Sequence, residues 1–168
     1  IGNKFSNMNM SNVYPIYIYT GQNIVIGNNH IFDIKCNGFH GIRLRHLNGY
    51  DINYNQINSV YADFNFYQGI ELDYGNGGTV NHNNIFDNYA GSHEYSKPAI
   101  KIRNCNTLYD VGNTVNKNLI YNNMRITGIY VWNNKNTEIN QNTIDNNQSA
   151  YGIYASSNDS TTYRNNSV

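Results

Sequence analysis

The chain has 168 residues, the length of one domain or at most two small ones, and its 11 basic and 11 acidic side chains give a formal net charge of zero. That balance excludes the basic excess of a general nucleic-acid binder and the acidic bias of a solvating tail. Charged residues are only 13%, while 35 asparagines, about one residue in five, and 16 tyrosines fill the space; such poor helix formers exclude a helical bundle.

In chain order, one phrase recurs: a small residue, Ile, any residue, an aliphatic residue, any residue. It appears as Pro15–Tyr19, Gly41–Arg45, Gly69–Asp73, Ala99–Arg103, Gly128–Trp132 and Gly152–Ser156. A second phrase follows each, an apolar residue with Asn at +3 and Ile at +5, as in Ile52/Asn55/Ile57 and Val80/Asn83/Ile85. The Asn positions 3, 29, 55, 83, 118, 142 and 166 are spaced by 26, 26, 28, 35, 24 and 24 residues. Period-2 alternation inside each phrase predicts strands. A unit this short cannot bury its own apolar face, so its copies stack. The expected fold is all-β, a parallel β-helix of about six coils and a single domain over residues 1–168. The recurrent Asn forms an internal ladder of stacked amides.

These Gly-Ile-x-Leu and Asn-x-Ile phrases resemble the right-handed parallel β-helix repeats of the pectin-lyase-like superfamily. The stretches Gly69–Asp73, Lys97–Cys105 and Gly128–Asn133 look like the β-helical region of archaeal disaggregatase-related proteins. That resemblance implies work on a uronate-containing surface heteropolysaccharide, and hence a secreted or cell-surface location. The chain starts and stops at nearly the same phase with nothing resembling a cap, so a segment of a longer β-helix is expected. No apolar run approaches the ~20 residues of a membrane span. Cys36 and Cys105 are too few for a disulfide framework and lack metal-ligand spacing. Sequons at Asn9, Asn147, Asn158 and Asn165 are what chance yields at this Asn content.

With Ile and the aliphatic residue pointing inward, the residues between and after them point out. Successive coils then display Tyr17/Tyr19, Arg43/Arg45, Glu71/Asp73, Lys101/Arg103, Tyr130/Trp132 and Tyr154/Ser156. Six charges thus fall on three neighbouring coils with aromatics on both sides. An ordinary solvated outer sheet face with paired charges is the plain alternative. Two connections, 87–98 and 104–114, are longer than their counterparts and flank the Lys101/Arg103 strand, predicting walls to a groove. Aromatic faces suit sugar rings, and Arg or Lys suit carboxylates. The pattern predicts an acidic polysaccharide as partner, bound by Arg43, His46, Tyr17, Tyr19, Tyr130 and Trp132.

Catalysis is expected from Lys101, Arg103, Glu71, Asp73 and Arg45, by one of two routes. In β-elimination the cations neutralise the uronate carboxylate and Lys101, His46 or a tyrosine takes the C5 proton. No cofactor is required; Ca²⁺ on Glu71 and Asp73 is one possible aid. In hydrolysis Glu71 and Asp73, with Cα atoms roughly 6.6 Å apart at i and i+2, are acid and base. The surrounding cations keep both ionised, which favours elimination. A non-catalytic β-helix, an adhesin or binding module, is the competing function. His40 and His46 bracket the Arg43/Arg45 strand within reach of the groove, with ordinary turn histidines as the plain alternative. His93 and Glu94 fall in the first long connection, where a groove contact is open to them.

Overall fold

The computed structural model describes residues 2–91, 97–105, 112–149 and 151–168. Among them there is no helix, and every strand pairing is parallel. One sheet stacks Gly21–Gly27, Leu47–Asn53, Asn76–Asn81, Asn113–Asn116, Thr137–Asn140 and Thr162–Arg164, one strand per coil. The other is built round the long strands His30–Arg45 and Gln56–Asp73 and continues through Pro98–Arg103, Thr127–Trp132 and Ile153–Ser156. The chain is a parallel β-solenoid of about six coils, as the repeat predicts.

Like stacks on like. Ile42, Ile70, Ile100 and Ile129 form one buried column and Leu44, Leu72, Ile102 and Val131 the next. On the path from the first ladder, Ile31, Ile57, Ile85 and Ile120 form a third. Each such side chain stabilises the fold by roughly 1.5–3 kcal/mol on burial. The small residue before each Ile has a steric reason. A Cβ on Gly41, Gly69 or Gly128 would sit 2.6, 2.5 or 2.4 Å from the carbonyl oxygen of the next coil. It would also point at core isoleucines, Ile57 for Gly41 and Ile144 for Gly128. Two consecutive positions therefore face inward, and the period-2 alternation slips by one at each of these bends.

The predicted amide ladder is present. From Asn3 through Asn29, Asn55, Asn83, Asn118 and Asn142 to Asn166, each side-chain Nδ2 donates to the next coil's Oδ1 at 2.8–3.0 Å. The backbone N–H of the same residue donates to that oxygen too, at 3.0–3.1 Å. The second amide hydrogen reaches back one coil, as from Asn83 to the Ile52 carbonyl at 2.9 Å. A buried amide so placed leaves no polar atom unpartnered.

Two further ladders were not anticipated. Asn88, Asn123 and Asn147 repeat the same bonds at a second corner, and Asn134 and Asn158 at a third. At the third corner Cys105 stands one coil before Asn134, its Sγ accepting from the Gly75 N–H at 3.3 Å. Both cysteines are free and buried, and burial pushes their thiols up to about 11 and about 12.

Each ladder residue after Asn3 directly follows a residue with positive φ, such as His82 before Asn83, Asp87 before Asn88 and Asn133 before Asn134. Nine of the 21 non-glycine positive-φ residues among those described are asparagine. Asn is the side chain that tolerates this conformation best after glycine. Tight left-handed corners and stacked amides together account for 21 of the 35 asparagines.

Candidate functional site: a cation–carboxylate–aromatic stripe

Strand register brings the predicted residues into two columns. One runs Tyr17, Arg43, Glu71, Lys101, Tyr130, Tyr154; the other runs Arg45, Asp73, Arg103, Trp132, Ser156. Tyr19 lies just past its strand and packs under Arg45, 5.8 Å from guanidinium to ring centroid. The columns alternate with the fully buried Ile70 and Leu72 core positions.

The carboxylates are not the exposed pair that alternation predicts. Glu71 and Asp73 are each 1% exposed, because long neighbouring side chains fold over them. Arg43 Nε and His40 Nδ1 both lie 2.9 Å from Glu71 Oε2, close ion contacts rather than well-aligned hydrogen bonds. Arg103 Nη2 and Lys101 Nζ lie 3.5 and 3.9 Å from Oε1. Asp73 Oδ2 accepts a hydrogen bond from Arg103 Nη2 at 2.8 Å and lies 3.3 Å from Arg45 Nε, while Oδ1 accepts from Asn104 at 3.2 Å.

Burial alone would push the Glu71 carboxyl up. The contact with His40 and the charges of Arg43 and Lys101 outweigh it and hold the group at about 2. Burial pushes Lys101 down; Glu71 and Asp73 oppose that shift, and Arg103 and Arg43 add to it. Burial also pushes His40 down, against the pull of Glu71, so its imidazole is neutral at pH 7.

Two consequences follow for the chemistry. A carboxyl held at about 2 carries no proton to donate, so Glu71 does not serve as a general acid. The pair does not fit Ca²⁺ either. All four carboxylate oxygens face nitrogens of Arg, Lys, His or Asn. Among the described residues no group of three His, Cys, Asp or Glu side chains could hold a metal. The two carboxylates instead anchor the cations, whose outer surfaces remain partly open: Arg43, Arg45 and Arg103 side chains are 19, 28 and 30% exposed.

Aromatic rings border this charged centre on both sides. Arg43 sits 5.7 Å over exposed Tyr17, and Lys101 sits 5.9 Å over Tyr130, which stacks on Tyr154 at 5.2 Å. Trp132 is exposed in the second column, between Arg103 and Ser156. His46, expected as a substrate contact, lies between the rings of Tyr19 and Tyr74 at 5.3 and 4.9 Å and belongs to this border.

His40 reaches the stripe, one of the two readings its place beside the Arg43/Arg45 strand allows. Counting inward from Ile42 by twos buries it in the core, but the slip at Gly41 turns it out to Glu71. The two long connections expected to wall the stripe include 92–96, with His93 and Glu94, and 106–111, which lie outside the described residues. Two clefts of about 410 and 220 Å³ lie away from the stripe, by Lys35 and Asp63 and by Glu138 and Arg164. They hold no comparable gathering of charges and rings.

The whole chain, residues 1–168, matches the family model described as a right handed beta helix region. No curated protein and no solved structure matches it. Stacked parallel coils, three Asn corner ladders and this full-length match agree, and the chain belongs to the right-handed β-helix family.

Proposed function

We propose that the chain binds an acidic, uronate-containing polysaccharide lengthwise along the stripe and cleaves it by β-elimination. The observation that carries the reading is the buried carboxylate pair, which pins Arg43, Arg45, Lys101 and Arg103 in one surface between aromatic borders. Four cations against two carboxylates leave the centre positive in a chain of zero net charge. From Tyr17 to Tyr154 the stripe spans five inter-strand steps, about 24 Å at the usual spacing, which suits an extended polymer better than a small molecule. The exposed rings of Tyr17, Tyr19 and Trp132 pack on sugar faces, while Tyr130, held between Lys101 and Tyr154, meets the polymer by its edge. The guanidinium groups pair with uronate carboxylates.

Elimination begins with loss of the proton at C5, beside the carboxylate. Cations that neutralise that carboxylate stabilise the charge developing in the transition state. Elimination needs no protonated carboxyl, whereas hydrolysis would need one from a pair whose Glu71 is held at about 2. The likeness of the repeat phrases to pectin-lyase-like and disaggregatase-related proteins supports the substrate class. Such a polymer lies outside the cell, so the proposed place of work is the cell surface or the secreted fraction.

The test is turnover of acidic surface polysaccharides, with ultraviolet absorbance reporting unsaturated ends and a parallel assay for reducing ends. Both signals are expected from the wild-type chain, and Arg103→Ala is expected to lower kcat/KM by about 10²-fold or more. Reducing ends without the absorbance would decide for hydrolysis. Binding without either signal would leave a non-catalytic carbohydrate-binding β-helix.

A further inference from the structure

Elimination needs a proton acceptor, and the stripe holds one that its outward columns do not include. His40 lies on strand His30–Arg45, three residues before Arg43, and is 6% exposed. Its ring stacks on Tyr14, centroids 5.0 Å apart and 15° between planes, and meets Phe66 at 4.4 Å on a 46° tilt. Two aromatic faces and a buried carboxylate thus fix one imidazole. The charged groups around it are Glu71, Arg43 and Lys101.

Resting on the elimination reading, we infer that His40, oriented through Nδ1 by Glu71, is the base that takes the C5 proton of a bound uronate. A carboxylate 2.9 Å from Nδ1 favours the tautomer with its proton on Nδ1. Nε2 is then the nitrogen with a free lone pair, the arrangement by which a carboxylate readies an imidazole in acid–base catalysis. The step balances without a co-reactant. Nε2 takes the proton, the C5–H electron pair becomes the C4–C5 double bond, and the C4–O bond breaks with its pair on oxygen. That oxygen takes a proton from solvent, and the imidazolium returns its own to solvent.

This assignment separates two duties that Lys101 would otherwise have to combine. Lys101 lies beside Glu71 and over Tyr130, where its charge helps hold the substrate carboxylate. A lysine that neutralises a carboxylate must be charged, and a lysine that takes a proton must not be. His40 is neutral near pH 7 and needs no such compromise.

The experiment measures binding and turnover side by side on the full chain, with polygalacturonate, alginate and chondroitin as polymers. His40→Gln is expected to lower kcat by about 10²–10⁴-fold with little change in KM. Lys101→Met is expected to lower kcat/KM while leaving the acidic limb of the pH profile in place. The wild-type kcat profile should show an acidic limb below pH 6.5, from protonation of the imidazole. Glu71→Gln should move that limb to lower pH, because the carboxylate that raises the imidazole's proton affinity is gone. A merely structural His40 would not produce that displacement. If His40→Gln does not fold, the wild-type limb and its displacement decide alone. An active His40→Gln with the limb in place overturns the assignment and leaves elimination standing. A wild-type chain that binds these polymers and yields no unsaturated ends overturns both.

Discussion

At the scale of single residues, asparagine does two jobs that substitution separates. Asn83 donates to Asn118 Oδ1 and to the Ile52 carbonyl while its own Oδ1 accepts from Asn55. Asn83→Ala strands those buried groups and should cost roughly 1–3 kcal/mol. Asn133 holds a left-handed corner at φ 52° with an exposed side chain, so Asn133→Ala should cost about 1 kcal/mol through backbone strain. Asn48 is exposed on strand Leu47–Asn53 and should tolerate alanine with almost no loss. Thermal melting of the three variants should fall in that order; equal midpoints would contradict the ladder's role.

Glu71 and His40 make a second prediction at this scale. A carboxyl lowered from 4.5 to about 2 contributes stability that is present above 4.5 and is lost as pH falls towards 2. An imidazole lowered from 6.5 contributes stability that is present above 6.5 and begins to be lost below it, since the unfolded chain takes the proton first. The melting temperature should therefore decline in two stages on acidification. Glu71→Gln should remove the stage below pH 4.5, and an unchanged profile in that variant would place the acid sensitivity elsewhere.

At the scale of elements, the strands and their faces are legible because side-chain period and coil period are both short and regular. Ile70 and Leu72 in and Glu71 and Asp73 out follow from alternation alone. The slip at Gly41 and Gly69 does not, because it arises from contact with the carbonyl of the next coil, which no single strand records. The second ladder was also within reach, as Asn at +5 after Asn83, Asn118 and Asn142. It goes unnoticed because the same place in earlier coils is Ile34 and Val60, buried apolar residues after the positive-φ Asp33 and Ser59.

The smaller sheet supplies a prediction of its own. Tyr50 is buried with its hydroxyl donating to Asn113 Oδ1 at 2.6 Å, and its ring lies against Gly78, where a Cβ would come within 2.4–2.5 Å of ring carbons. Gly78→Ala should cost roughly 1–3 kcal/mol by overpacking. A denaturation midpoint equal to wild type would mean that the ring has room to shift.

At the scale of the whole molecule, a solenoid turns a repeat into a ruler, so that substitutions along one phase write a line across the surface. Tyrosine, arginine, carboxylate, lysine or arginine, and aromatic residues occupy successive coils in both columns of the stripe. Alternation reveals who shares that line. It does not reveal that the arginines lie across the carboxylates, since the reach of a long side chain depends on the strand beside it. What reads in one dimension as an exposed acidic pair is therefore a buried anchor for a cationic surface.

Calorimetric titration of polygalacturonate, alginate and chondroitin onto the full chain asks whether this surface holds an acidic polymer. At least one polymer should bind, with an affinity that weakens as salt is raised, because the contacts are partly exposed charges. The affinity should fall by about tenfold or more in Arg103→Ala, the loss of a charge-assisted contact, and also in Trp132→Ala through lost stacking. Equal affinity in wild type and both variants, or no binding of any of the three polymers at low salt, would contradict a polymer-binding role and return the stripe to a structural ion-pair network.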